Sequence, residues 1–302
     1  MTMKWKDSFH PYAATTIVFW SLAYVFTRLA LRYFSPFSLG FLRYLTASVV
    51  LLILAFAWKV KPPEKKDLPW FIVAGASGFF LYMIAFNIGC VTVSSSTSSV
   101  IIALTPVITA LLARFTIKET LRPLQWAAIG VSFAGVLVLT VLRGGLVVNG
   151  GIAWLVAAAA LLSVYNLLQR RLTRVYSALQ TSMFSIFMGT AMLTLFLPGA
   201  ISDLKSAPAV SFLYILILGV FSSTVAFIAW SKAFAKAKNT SSVSNYMFVT
   251  PFLASLMGLL IAGEPVDAAT VIGGAVIIGG LLLFHFGAAR SVIPSETAPS
   301  KK

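Results

Sequence analysis

TPVITALLARFTIKE (Thr105–Glu119) and TPFLASLMGLLIAGE (Thr250–Glu264) stand 145 residues apart. Thr-Pro opens each stretch, Glu closes each, and the apolar run between is of equal length. A chain that repeats itself at half its own length is built from two related halves. At the same offset Gly135 matches Gly280, and the small pair Gly130 and Ala134 matches Ala275 and Gly279. With one residue of slippage, Gly75, Ile84 and Ala85 match Gly219, Ile228 and Ala229. The first two helices of each half align only faintly.

What the halves are made of follows from composition. Of 302 residues 59% are hydrophobic and only 10% charged, which excludes an ordinary water-facing surface. A helix needs roughly 20 apolar residues to cross the hydrocarbon. Runs of about that length fall at 12–31, 37–57, 69–89, 96–115, 123–142, 151–169, 179–197, 210–231, 242–262 and 268–287. Between them lie short breaks such as KVKPPEKKD (59–67), LPGAISDLKSAP (197–208) and GEPVD (263–267). The runs are too long and too uniformly apolar for barrel strands, which alternate over about 10 residues. The expected fold is an all-α integral membrane protein. Ten transmembrane helices divide into five and five, and an odd number per unit turns the second unit upside down. The expected units are residues 1–145 and an inverted repeat over 146–290, with a tail over 291–302.

Charge gives the orientation. If the N-terminus is cytoplasmic, the inner segments hold 18 of the 23 basic residues, and the outer side holds Arg28, Arg32, Arg143 and Lys205, with Arg43 a little way inside the second helix. The positive-inside rule expects this asymmetry, so both termini are expected in the cytoplasm of a bacterial plasma membrane. The net charge of +15 then reports topology and contact with anionic lipid, with no nucleic-acid partner expected. A single cysteine, Cys90, leaves no internal disulfide and no multi-cysteine metal site, and it reads as a packing residue.

Inverted five-helix halves belong to secondary transporters, in which a pseudo-two-fold axis in the membrane plane lets the halves exchange conformations. The chain resembles the drug/metabolite transporter superfamily in its ten-helix EamA-type branch. The resemblance runs from about Tyr12 to Phe286. It is carried by residues 105–139 with their counterpart 250–283, by PFSLGFLRY (36–44) and by FWSLAYVFTRLAL (19–31). It implies a central cavity between helices one, three, four, six, eight and nine, with helices five and ten packed at the side.

On the helices so assigned, polar and aromatic residues recur at membrane depth: Trp20 and Tyr24, Tyr82 and Asn87, Tyr165 and Asn166, and Trp230. Thr97, Asn245 and Tyr246 lie beyond the polar starts of the fourth and ninth helices, where Ser94 to Ser96 read as caps. Together these ten are the substrate-binding candidates, suited to an amphipathic metabolite with a flat or apolar part and a small polar head. Pro106 and Pro251 fall mid-helix. Each removes a backbone donor and leaves the carbonyl four residues earlier, at Ile102 and Met247, without its usual partner, so both read as hinges beside the cavity.

The eight acids all fall in loops, tails or helix ends, which disfavours a carboxylate-centred proton or cation antiport. Arg43 is the deepest clear charge. It can meet a substrate carboxylate or bond carbonyls at a bundle joint, and the resemblance favours the structural role. Arg28 and Arg32 read as an outer pair facing anions or headgroups. Gly130 with Ala134 and Ala275 with Gly279 read as close-packing faces, and His10 and His285 as interfacial bystanders.

The leading expectation is an alternating-access transporter of small metabolites, an exporter of amino acids or similar amphipathic compounds. An antiporter of nucleotide sugars or phosphorylated metabolites is the alternative, and it would need more deep basic residues. A membrane-embedded enzyme finds no HExxH, GxSxG, paired mid-membrane carboxylates or Cys/His set. No cofactor or metal is expected. The expected partners are a small-molecule substrate and membrane lipids, around a monomer.

Overall fold

The computed structural model describes residues 8–116, 122–142, 150–237 and 243–289, and among them every regular element is helical. Ten helical stretches follow in order: α1 His10–Ala30, α2 Pro36–Ala57, α3 Lys65–Thr92, α4 Ser95–Thr116, α5 Pro123–Leu142, α6 Gly150–Leu172, α7 Ala178–Ser206, α8 Ala209–Lys236, α9 Thr250–Ala262 and α10 Ala268–Ala289. Each keeps its backbone hydrogen bonds inside one segment, as hydrocarbon demands. Phe56, Leu195 and Leu260 stand exposed on the outside, as side chains facing lipid tails do.

Local chemistry sets the starts. Ser35 caps α2 by accepting from the Ser38 N–H at 3.1 Å, with Pro36 in the first turn. Ser94 caps α4 by accepting from Thr97, and Ser177 forms a capping box with Gln180 at α7. Ser35 and Ser177 are 142 residues apart, so the faint kinship of α2 and α7 surfaces in the way both begin. The stretch 197–208, expected as a loop, differs from that reading. After a 3-10 turn at Thr194–Phe196 it forms a further helical piece, Leu197–Ser206, because Pro198 stands in a first turn, where its missing N–H costs nothing.

The inversion is visible in reciprocal contacts. α1 packs on α8 and α9, while its counterpart α6 packs on α3 and α4. A Cβ on Gly75 of α3 would meet Met188 Cβ at 2.6 Å and Ser185 O at 2.9 Å on α7. One on Gly219 of α8 would meet Thr46 Cβ at 2.6 Å and Arg43 O at 2.9 Å on α2. Thr46 and Arg43 precede Met188 and Ser185 by 142 residues, so the two contacts are copies. Ser48 and Thr190, also 142 apart, share a hydrogen bond of 2.9 Å between their hydroxyls. A pair of equivalent positions touching each other is what a two-fold relation produces.

α5 and α10 pack along each other at the side of the bundle. A Cβ on Gly135 would meet Ile277 N at 2.7 Å and Gly273 O at 3.0 Å, and one on Gly280 would meet Ser132 N at 2.7 Å and Ala128 O at 3.0 Å. The close approach therefore runs through Gly135 and Gly280. Gly130 and Gly279, expected as packing faces, have no neighbour within 4 Å of such a Cβ, and Ala134 and Ala275 are exposed beside them. The expectation had picked the helix face next to the true one.

Besides the 3-10 turn of α7, four helices carry irregularities that fall in equivalent pairs. α3 carries a π-helical stretch at Ala76–Leu81 and α8 one at Ile217–Val225. α4 is interrupted at Ala103 and Leu104 before Thr105–Thr116, and α9 begins with a 3-10 turn, Asn245–Val249, before Thr250. Departures of this kind cluster at functional sites. In hydrocarbon they are tolerated where protein or a water-filled space surrounds them.

Candidate functional site

The irregular helices converge on a small cavity at the centre of the bundle. Its N-terminal half is formed by Trp20, Ala23, Tyr24, Arg43, Tyr82 and Phe86. Ile102 and, from the other half, Leu162, Phe227, Met247 and Thr250 complete the wall. The volume is about 20 Å³, room for about one water. The resemblance implied a cavity able to enclose a metabolite; in this conformation the wall has closed on itself.

The two interrupted helices meet the cavity at equivalent places. Ile102 and Met247, 145 residues apart, both line it. The carbonyl of Ile102 accepts from the Thr105 hydroxyl at 2.6 Å, and that of Met247 accepts from the Thr250 N–H. The carbonyls that the prolines deprive of a partner are thus bonded locally, each with a lone pair to spare. The Thr250 hydroxyl is buried and has no partner among the described residues.

Of the residues singled out from the sequence, Trp20, Tyr24 and Tyr82 stand on the cavity wall. Trp230 lies one layer behind, its ring 4.9 Å from that of Trp20, and its Nε1–H donates to Asn166 Oδ1 at 3.2 Å. Tyr165 is packed edge-on against Phe79 and Phe227 and does not reach the wall. Asn87 is buried, but its Nδ2 donates to Pro36 O at 2.8 Å and ties α3 to the start of α2. The Thr97 hydroxyl meets that of Thr270 at 2.7 Å, joining α4 to α10 away from the cavity. The side chain of Asn245 lies outside the described residues. Pro106 is buried off the wall, and Pro251 faces an apolar groove on the flank of α9 and α10.

Sequence reasoning missed Phe86, Phe227, Leu162 and Ala23 as lining residues. Phe86 was legible, since it stands four residues after Tyr82 and so shares its helix face. The apolar others carry no signal that separates a cavity wall from ordinary core. Also missed was Gln169, fully buried, whose Nε2–H donates to the Ser231 hydroxyl, which in turn bonds Ser182.

Contacts between the halves join them at both ends. At the end opposite the chain termini, Gly263 in the left-handed conformation (φ 65°) terminates α9 and turns Glu264 inward, its N–H donating to Gly258 O at 3.1 Å. Glu264 Oε1 then pairs with Arg28 Nε at 3.2 Å, and Oε2 accepts from the Ser95 N–H at 3.0 Å. Arg28 also donates to the carbonyls of Cys90, Val91 and Val93 at 3.0 to 3.2 Å. It was expected to face anions or headgroups, but α3 ends beside it with free carbonyls and α9 delivers a carboxylate, so it bolts α1, α3, α4 and α9 together. Glu119, the counterpart of Glu264, lies outside the described residues. At the terminal end, His10 Nδ1 hydrogen-bonds the Tyr246 hydroxyl, with Phe9 edge-on to the Tyr246 ring. His10, expected as a bystander, and Tyr246, expected in the cavity, therefore meet at the mouth.

Comparison with known proteins fits this architecture. The family described as "EamA-like transporter family" matches the chain twice in tandem, over residues 9–141 and 149–286. A "Probable terminal-alkyne amino-acid exporter" of Streptantibioticus cattleyicolor is 30% identical over 271 residues, covering 89% of this chain and 91% of its own. An uncharacterized transporter, YdfC, of Bacillus subtilis is 30% identical over 265 residues, covering 87% and 86%. A solved crystal structure 22% identical in sequence superposes with a TM-score of 0.64 over 93% of this chain and 98% of that one, a likeness of fold.

Proposed function

Since the chain belongs to the EamA-like transporter family and is a multi-pass membrane transporter, we propose that it moves small amphipathic metabolites, amino acids or close relatives, out of a bacterial cell by alternating access. The observation that carries this reading is the central cavity, built from both halves at the breaks of α4 and α9 and flanked at both ends by contacts between the halves. Rocking one half against the other exposes such a site to one side at a time. Pro106 and Pro251 serve as the bending points, and Trp20, Tyr24 and Tyr82 grip the substrate's apolar part. A cytoplasmic terminal end is supported by the excess of Lys and Arg that the sequence distributes to the segments on the side of the termini. The end held by Arg28 and Glu264 is then the outer one. The amino-acid class is supported by the name of the exporter at 30% identity. A nucleotide sugar would bring two phosphates to a wall holding Arg43 as its lone cation.

The test is counterflow in proteoliposomes preloaded with single amino acids. Transient accumulation of external labelled substrate, lost when both Trp20 and Tyr82 are changed to Ala, is the expected result. A folded protein that exchanges no member of a broad metabolite panel would refute the transport of such compounds.

A further inference from the structure

Arg43 is 4% exposed, about two turns inside the start of α2, and lines the central wall. Its Nε–H donates to the Ser223 hydroxyl at 2.7 Å, inside the π-helical stretch of α8. The Tyr44 ring centroid lies 5.6 Å from the Arg43 Cζ. A guanidinium has five N–H donors, so four find no acceptor among the described residues. No carboxylate compensates the charge: the ion pairs among the described residues are Arg28–Glu264 and Lys66–Glu64, both at helix ends. A permanent cation held in low dielectric without a counter-charge is among the most costly arrangements a membrane protein can keep.

The same molecule shows what a structural arginine looks like. Arg28 meets a carboxylate and three backbone carbonyls. Arg43 has neither kind of partner. The inverted repeat supplies a second control. At the equivalent place in α7, fixed by the copied contacts of Gly75 and Gly219, stands Ser185, and that half packs its helices without a cation. The fold thus has no need of a positive charge here, and the free donors of Arg43 stand at a wall where the Thr250 hydroxyl is also unpartnered.

We propose that Arg43 is the anion anchor of the transport site and that the substrates are monocarboxylates, amino acids included, whose carboxylate takes the free Nη donors as a planar two-point pair. This rests on the transport reading above and narrows it. The planar fork of a guanidinium matches a carboxylate, which a lysine ammonium cannot do. The apolar body of the substrate lies against Trp20, Tyr82 and Phe227. Amines without a carboxylate are excluded because no acid lines the cavity to meet them.

The test uses the full chain in lipid nanodiscs and six probes in matched sets: L-norvaline, pentanoate and butylamine; L-phenylalanine, 3-phenylpropionate and phenethylamine. Thermal unfolding is followed for the wild type, Arg43→Gln and Arg43→Lys. At least one carboxylate should stabilise the wild type by mass action and neither amine should. Affinity should fall on the order of 10-fold in Arg43→Lys and 100-fold or more in Arg43→Gln. Without ligand, Arg43→Gln should unfold at the wild-type temperature or above it, because an uncompensated charge has been removed. A ligand-free loss of more than about 5 °C would make Arg43 a structural residue and overturn the proposal. So would amines that stabilise as well as their carboxylates, carboxylate affinity untouched in Arg43→Gln, or no response of the wild type to any of the four carboxylates. Counterflow of an amine by a protein blind to the carboxylates would sink this inference and leave the transport reading standing.

Discussion

Glu264 shows how much a single side chain can hold. It closes the repeated stretch that reveals the duplication, it follows the left-handed Gly263 that ends α9, and its two oxygens serve Arg28 and the N–H of Ser95. The pair is partly shielded, with side-chain exposures of 30% for Arg28 and 14% for Glu264, so removing one charge should cost on the order of 1–3 kcal/mol. Glu264→Gln should loosen the end opposite the chain termini. The chain carries its own reporter, since Cys90 is 1% exposed and its carbonyl is bonded to Arg28. Alkylation of Cys90 by a membrane-impermeant maleimide, added outside, should be slow in the wild type and at least about 10-fold faster in Glu264→Gln. Equal rates would mean that the ion pair is not a latch. The pairing could not be read from the sequence: Arg28 and Glu264 are 236 residues apart, and a basic residue near a helix end is equally at home against headgroups.

At the level of helices, the sequence disclosed number and kinship, but missed the helical extension of α7 to Ser206, the late start of α9 at Thr250, and details that depend on which way a face turns. Ten apolar runs correspond to the ten helices because transfer into lipid is a property of composition, readable without any partner. The choice between Gly130 and Gly135 is different. Both are small and both recur at the 145-residue offset, yet a helix turns 100° per residue and five residues carry a side chain to another face. Only Gly135, with Gly280, meets the opposing backbone. Gly135→Leu should therefore force α5 from α10 and cost about 1–3 kcal/mol or more, a drop of several degrees in unfolding temperature. Gly130→Leu should change it by less than about 1 kcal/mol, because nothing stands in the way. Parity between the two variants in a thermal scan would refute the assigned seam. The π-helical stretches of α3 and α8 were also illegible, since no residue type in either stretch calls for a π turn; they lie beside or around Gly75 and Gly219, where α3 and α8 approach α7 and α2 closely.

On the scale of the whole molecule, the candidate site was legible in part for the same reason. Trp20, Tyr24 and Tyr82 announce themselves as large amphipathic rings at membrane depth, and all three reach the central wall. Asn87 and Thr97 carry the same polar signal but spend it on Pro36 O and Thr270, holding helices together. A buried amide must find a partner, and the sequence does not say whether that partner is protein or cargo. Both ends of the bundle are tied at once, and the space left between them holds about one water. A bundle tied in this way should behave as an electrical insulator, because protons hop only along an unbroken file of water, and a cell can then fill its membrane with copies without shorting its own voltage. Planar bilayers densely loaded with the protein should show no conductance steps at 100 mV, a bias worth about 2.3 kcal/mol per elementary charge. Stepwise currents would mean that the two seals can fail together.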